Sequence, residues 1–323
     1  MRSHLRLLLP LLATAIGLVA VAPASASAAY RVGIGEQSTA MFGSERFEAL
    51  NVKRIRHLVP WDWYRHDYQV AETATFMGQA EAAGAEVLVT FTAARGCYRD
   101  GRYSRSRACR PPSARAYASS LRRFQAAFPQ LRTFSPWNEV NHVSQPTYER
   151  PALAARYYRE AERNCEDCRV VAADVLDSSN VGGYLRGFLR AVSGTPKLWG
   201  LHNYADVNRR RSTGLRTVMR IVPGQIWLTE TGGIVSFGRQ WPYSPARAAN
   251  RTRYMFSLAD RHTRTLRGMR SRVTRMYVYQ WDGRERGTDF DSGLTDHEGK
   301  VRKAYYVVRA RMKGRTVIDE RRN

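Results

Sequence analysis

The stretch LRTFSPWNE, residues 131–139, is a short apolar run that ends in Pro136, Trp137, Asn138 and Glu139. A run of this length closed by proline suits a strand. A carboxylate behind an amide and an indole is unusual where a strand leaves the core. Its neighbours in sequence decide what it belongs to.

Upstream, YRVGIGEQ (30–37), VKRIRHLVPWDW (52–63) and EVLVTFTA (86–93) read as strands. Downstream, RVVAADVLD (169–177), KLWGLHNY (197–204), QIWLTETG (225–232) and VTRMYVYQWDG (273–283) do the same. Helices are expected between them: near Ser44, over 70–83 with Gly84 as its cap, from Ser113, over 151–163, 181–192 and 213–222, from Ser244-Pro245 to about Arg264, and over 303–313. Tyr117, Leu121, Phe124 and Phe128 share one helical face. Strict alternation implies a parallel sheet covered by helices. Eight units in this length suit a closed (β/α)8 TIM barrel, a single domain of class α/β. The competitor is a doubly wound open sheet, but GIGEQSTAMFG does not match its phosphate loop G-x-G-x-x-G.

The ends of the chain bound the compartment. Arg2 and Arg6 flank an apolar run, Leu7 to Ala22, followed by the small residues of Ala24 to Ala29. That pattern predicts a secretory signal peptide over 1–28, leaving a barrel domain over 29–323 that is secreted and extracellular. The apolar run is short for a membrane anchor, and no later segment is long and apolar enough to span.

Cys97 and Cys109 bracket a polar loop, and Cys165 and Cys168 form a Cys-x-x-Cys. Two local disulfides are the preferred reading in an oxidising exterior. Zinc is the rival, weakened by unlike spacings and no nearby histidine. A redox pair at Cys165 and Cys168 is the other, without thioredoxin-like surroundings. No metal and no cofactor is expected.

The chain carries 52 Lys plus Arg against 28 Asp plus Glu, a formal charge of +24. Such a surface can hold a protein near anionic wall polymers or polysaccharides. The basic residues are scattered and no nucleic-acid motif accompanies them, so no specific nucleic-acid partner is expected.

In a barrel of this kind catalytic groups sit at the C-terminal ends of the strands. Those ends carry Arg56, Trp61 and Asp62; Trp137, Asn138 and Glu139; His202, Asn203 and Tyr204; Glu230; and Gln280, Trp281 and Asp282. A lone Glu at a strand end is more often a surface or ion-pair residue. Here two of them, Glu139 and Glu230, end strands on different sides of one barrel, with aromatic company. Glycoside cleavage needs such a pair, one acid for the leaving oxygen and one carboxylate for the anomeric carbon. Two like charges so close are expected to raise one pKa.

PWNEVN followed by WLTETG resembles the clan A glycoside hydrolases, nearest in pattern to families 39 and 5. The resemblance implies Glu139 as acid/base after strand 4 and Glu230 as nucleophile after strand 7. It implies that Asn138, Arg56, His202 and Tyr204 position the sugar, with Trp281 beneath it, while Trp137, an aromatic at the end of the fourth strand, is read as a flat platform for a sugar face. Residues 291–308 resemble the family's closing segment. Val140 departs from the proline of the family 39 Asn-Glu-Pro. The expectation is a secreted, monomeric, retaining glycosidase acting on a polysaccharide or oligosaccharide. The rival from another class is an inactive carbohydrate- or wall-binding barrel, and a polyanion binder rests on charge alone.

Overall fold

Strand β1 (Arg31–Gly35) lies between β2 (Arg54–Pro60) and β8 (Ser271–Tyr279), parallel to both. From β2 the sheet runs through β3 (Glu86–Thr92) to β4 (Thr133–Ser135). From β8 it runs through β7 (Gly224–Thr231) to β6 (Leu198–His202). These strands come from a computed structural model that describes residues 30–287, 290–315 and 317; the expected signal peptide, 1–28, lies outside the described residues.

The fifth strand joins the two ends. Its first part, Arg169–Val170, pairs with β4, and its second, Asp174–Leu176, pairs with β6. Between them the Val171 N–H donates to Phe134 at 2.9 Å and the Ala172 N–H to Leu198 at 2.8 Å. Taken together as β5, these two short ladders close the sheet into a (β/α)8 barrel. The class is α/β, as the alternation implied.

The helices cover the outside: α1 (Glu45–Glu48), α2 (Asp67–Ala82), α3 (Ala114–Ala127), α4 (Pro151–Asn164), α5 (Val181–Ala191), α6 (Tyr204–Asn208), α7 (Thr213–Ile221), α8 (Pro245–Asp260) and α9 (Lys303–Met312). The expected caps are present. Ser113 Oγ accepts from Ala116 N and Ser244 Oγ from Arg247 N, each at 3.2 Å. Gly84, at φ +63°, ends the turn after α2, where a side chain would be strained. The face of Tyr117, Leu121 and Phe124 is buried against the sheet. Several strands are shorter than their sequences suggested, β4 and β6 among them. β4 stops at Ser135 because Pro136 has no N–H to continue the ladder, and β6 stops at His202 because Tyr204 opens α6.

Inside the barrel, Leu88, Val171, Trp227 and Tyr277 form one buried layer. Arg275 lies 3.9 Å over the Trp227 ring and pairs with Glu86 at 2.7 Å, so even its charge is spent within the packing. The barrel is therefore filled below, and its chemistry is confined to the other end.

Two small ribbons rise at that end. After β3, Tyr98–Arg99 pairs with Arg102–Tyr103 inside the loop that the Cys97–Cys109 disulfide closes. After β7, Ser236–Phe237 pairs with Phe290–Asp291. Cys165 and Cys168 form the second disulfide, so both expected pairs occur. Among the described residues no helix is long and apolar enough to cross a membrane.

Candidate active site

Pro136 to Glu139 leaves β4 as a clamped turn. The Asn138 N–H donates to Phe91 on β3 at 2.8 Å, and the Val140 N–H to Asp174 on β5 at 2.9 Å. Between these anchors Glu139 adopts φ +42°, a left-handed conformation that strains a side-chain-bearing residue. Strain of roughly 1–3 kcal/mol persists only where neighbours over-determine it. Here it turns the carboxylate into the barrel mouth.

The centre of the site is Arg56, fully buried on β2. Its Nη1 donates to Glu230 Oε2 at 2.8 Å, and its Nη2 to Asn138 Oδ1 at 2.7 Å and Asp174 Oδ2 at 3.0 Å. Both Nη2 hydrogens are thereby committed. The contact of Nη2 with His202 Nε2 at 3.2 Å is then no donation to the ring, so Nε2 is free to carry a proton toward Asp174 Oδ1 at 3.3 Å. The other ring nitrogen, Nδ1, lies 3.1 Å from Glu139 Oε1 and 3.5 Å from Glu230 Oε2. Tyr204 donates to Glu230 Oε1 at 3.1 Å. Glu139, Glu230, Arg56, Asn138, His202 and Tyr204 are thus brought to one place.

Two cations, Arg56 and His202, stand among three carboxylates. Burial works against a charged His202, but Asp174 and then Glu230 outweigh it and raise the imidazole to about 10. Burial would raise Asp174, yet His202 and Arg56 hold it below the usual carboxylate range. Glu139 is likewise lowered: burial is outweighed by the hydrogen bond and charge of His202, helped by His142 and Arg56. The expected rise of one glutamate pKa is therefore not found at Glu139. The cation between the carboxylates cancels their repulsion, so the proton resides on the imidazole instead.

Two expected sugar contacts are corrected. Trp137 is buried, stacked on Tyr157 at 4.9 Å and donating its indole N–H to Gln145 at 3.0 Å. Trp281 is buried edge-on to Phe47 at 5.2 Å and Tyr305 at 6.0 Å. Both rings pack against helices, Trp137 on α4 and Trp281 on α1 and α9, because they lie past the last paired residues, Ser135 and Tyr279, where the strand alternation no longer directs side chains. From β8 the cleft receives Tyr279, two positions earlier.

Other site residues were missed in sequence. Asp174 has a signal, a charge inside the apolar run VVAADVL, and the fold buries it completely. Ser135 and Thr229 also donate to it, from β4 and β7. Gly200 makes room for it, since an added Cβ would meet Asp174 Oδ1 at 2.2 Å. Phe290 and His142 had no such signal. The cleft above this cluster has a volume of about 970 Å³, at the upper end of ordinary ligand sites of roughly 300–1,000 Å³. Among the described residues no group of three or more His, Cys, Asp or Glu side chains could hold a metal ion.

A closed barrel with facing carboxylates at its C-terminal mouth has relatives. Residues 113–303 match the family described as Glycosyl hydrolase catalytic core, more than half of the chain, and the protein belongs to that family. Fold and family together define a glycosidase. A family 39 glycoside hydrolase from the gut symbiont Bacteroides cellulosilyticus WH2 superposes with a TM-score of 0.54 at 15% identity. The match covers 86% of this chain but only 62% of that longer protein. The GH5_18 protein of Streptomyces cattleya, solved with GlcNAc, gives 0.56 at 14% identity over 88% of this chain and 79% of its own. A GH10 endoxylanase from a sugarcane soil metagenome gives 0.56 at 13% over 87% and 96%. At such identities these structures bear on the fold alone. No curated protein matches the chain.

Proposed function

We propose that the protein is a secreted retaining glycoside hydrolase that cleaves O-glycosidic bonds of a polysaccharide or oligosaccharide by double displacement. Glu230 attacks the anomeric carbon as the bond to the leaving oxygen breaks, and Glu139 gives that oxygen a proton. Water then attacks the same carbon, Glu139 takes its proton, and Glu230 is released.

The observation that carries this reading is the meeting of both carboxylates on one nitrogen. Glu139 and Glu230 arrive from β4 and β7, and each has an oxygen within 3.5 Å of His202 Nδ1. Any bend at that nitrogen draws the oxygens toward the roughly 5–5.5 Å of direct attack. It takes them away from the roughly 6.5–9.5 Å that admits a water for inversion. Arg56 and Tyr204 each donate to one oxygen of Glu230 and aim it, and Asn138, fixed by Arg56, is oriented toward a sugar hydroxyl. Glu139 and His202 share one proton along a 3.1 Å contact. Its movement to Glu139 supplies the acid and leaves a neutral imidazole.

The leader-like 1–28 and the two disulfides support secretion, with 29–323 as the catalytic domain. A 2-deoxy-2-fluoro glycoside tests the mechanism. It is expected to leave a covalent adduct on Glu230, found by mass spectrometry of the digested protein, and NMR should show the product anomer retained. Inverted product, or turnover by Glu230→Ala at the wild-type rate, would refute the assignment.

A further inference from the structure

Aromatic rings left in water at the edge of a catalytic cleft have a physical use when the ligand offers flat apolar faces, as sugar rings do. Of the exposed large hydrophobic side chains described, only Tyr98 and Phe237 line this cleft, 41% and 43% exposed. They stand on the two ribbons that follow β3 and β7. In a ring of eight strands these are half a circle apart, so the platforms face each other across the mouth.

Each ring is connected to one of the carboxylates. Tyr98 lies 6.4 Å from the His142 ring, and His142 lies 3.7 Å from Glu139. Phe237 packs edge-on to Phe290 at 5.6 Å, and Phe290 to Tyr204 at 5.3 Å, which donates to Glu230. Both are held by backbone ladders rather than free loops. Tyr98 pairs with Tyr103 inside the disulfide-closed loop, and Phe237 exchanges backbone hydrogen bonds with Trp241 at 2.8 and 3.1 Å. A ring fixed in this way loses little freedom when a ligand stacks on it.

We infer that the cleft binds an unbranched glycan chain laid across the catalytic pair, stacked on Tyr98 at one rim and Phe237 at the other. The enzyme therefore cuts bonds inside the chain. This rests on the glycosidase reading above, and it selects endo over exo action. A pocket for a chain end would be walled on one side, whereas this cleft carries a platform on each.

The test uses ladders from disaccharide to hexasaccharide prepared from mannan, xylan, glucan and galactan. Binding is measured by calorimetry to the Glu230→Gln variant, and products of the wild type are followed over time. One ladder is expected to bind more tightly with length, about tenfold or more from disaccharide to hexasaccharide, and to yield internal fragments first. Tyr98→Ala and Phe237→Ala should each lose about three- to tenfold more on the hexasaccharide than on an aryl monosaccharide glycoside. Affinity independent of length, or release of terminal monosaccharide alone, overturns the inference while hydrolysis still upholds the glycosidase reading. Length-dependent binding without any hydrolysis upholds the platforms and overturns that reading. Neither binding nor hydrolysis of any ladder overturns both.

Discussion

At the scale of the residue, His202 explains why Glu139 is held below the usual glutamate range although a second carboxylate stands close by. Its imidazolium stands between them, and Asp174 behind it holds the ring charged. Glu139→Gln is expected to lower kcat by about 10²–10⁴ on unactivated glycosides, the usual contribution of a general acid. On a dinitrophenyl glycoside, whose leaving group needs no proton, the loss in kcat/KM should be far smaller than on unactivated glycosides, although kcat still falls because Glu139 also takes the proton of the attacking water. Equal losses in kcat/KM on both substrates would remove Glu139 from the acid role. Asp174→Asn leaves Arg56 and His202 short of a buried partner, so urea unfolding should report a loss of about 3–5 kcal/mol. Removing the leading charge that raises His202 should also move the alkaline limb of kcat/KM to lower pH. An unmoved limb would reduce Asp174 to a packing residue.

At the scale of the element, the strand ends carry the chemistry because adjacent backbones hold them. Glu139 keeps its left-handed turn through hydrogen bonds to β3 and β5, so its placement depends on strands far from it in sequence. The helices contribute ordinary stability. Ser244 caps α8 through Arg247 N, and Ser244→Ala is expected to cost about 1 kcal/mol in urea unfolding without altering kcat. A drop in kcat beyond the loss of folded protein would mean that α8 reaches the cleft. Capping signals at Ser113, Ser244 and Gly84 were legible in sequence because caps are local. The stopping points of β4 and β6 were read too late, since the sequence carries an aromatic and polar tail past the last paired residue.

At the scale of the whole molecule, the buried charges make stability depend on pH with a definite sign. Asp174, lowered in the fold, contributes stability that is complete above its unfolded pKa of about 3.9 and is lost as pH falls below it. His202, raised to about 10, contributes fully below its unfolded value of about 6.5 and loses that contribution as pH climbs toward 10. Asp177, raised to about 7 chiefly by burial, also removes stability as pH rises from about 3.9 to 7. The three together predict a Tm that peaks between about pH 4 and 6.5. A Tm that is flat or higher at pH 9 than at pH 5 would contradict this account of the charges.

At the same scale lies the division between what was legible in sequence and what was not. Alternation of strands and helices, the caps, the cysteine pairs and the positions of Glu139 and Glu230 could be read from the chain, because periodicity, turn chemistry and residue type are carried by neighbours in sequence. The direction of Trp137 and Trp281 could not, since both lie past the last paired residue of their strands, where alternation no longer fixes which side a ring takes. Nor could the partners of Asp174, which come from β2, β4, β6 and β7 and meet only when the barrel closes. Sequence by itself determined the barrel and named its two carboxylates. The tertiary structure decided which charges surround them, because electrostatic interaction depends on distance in space and on burial, and neither is set by position along the chain.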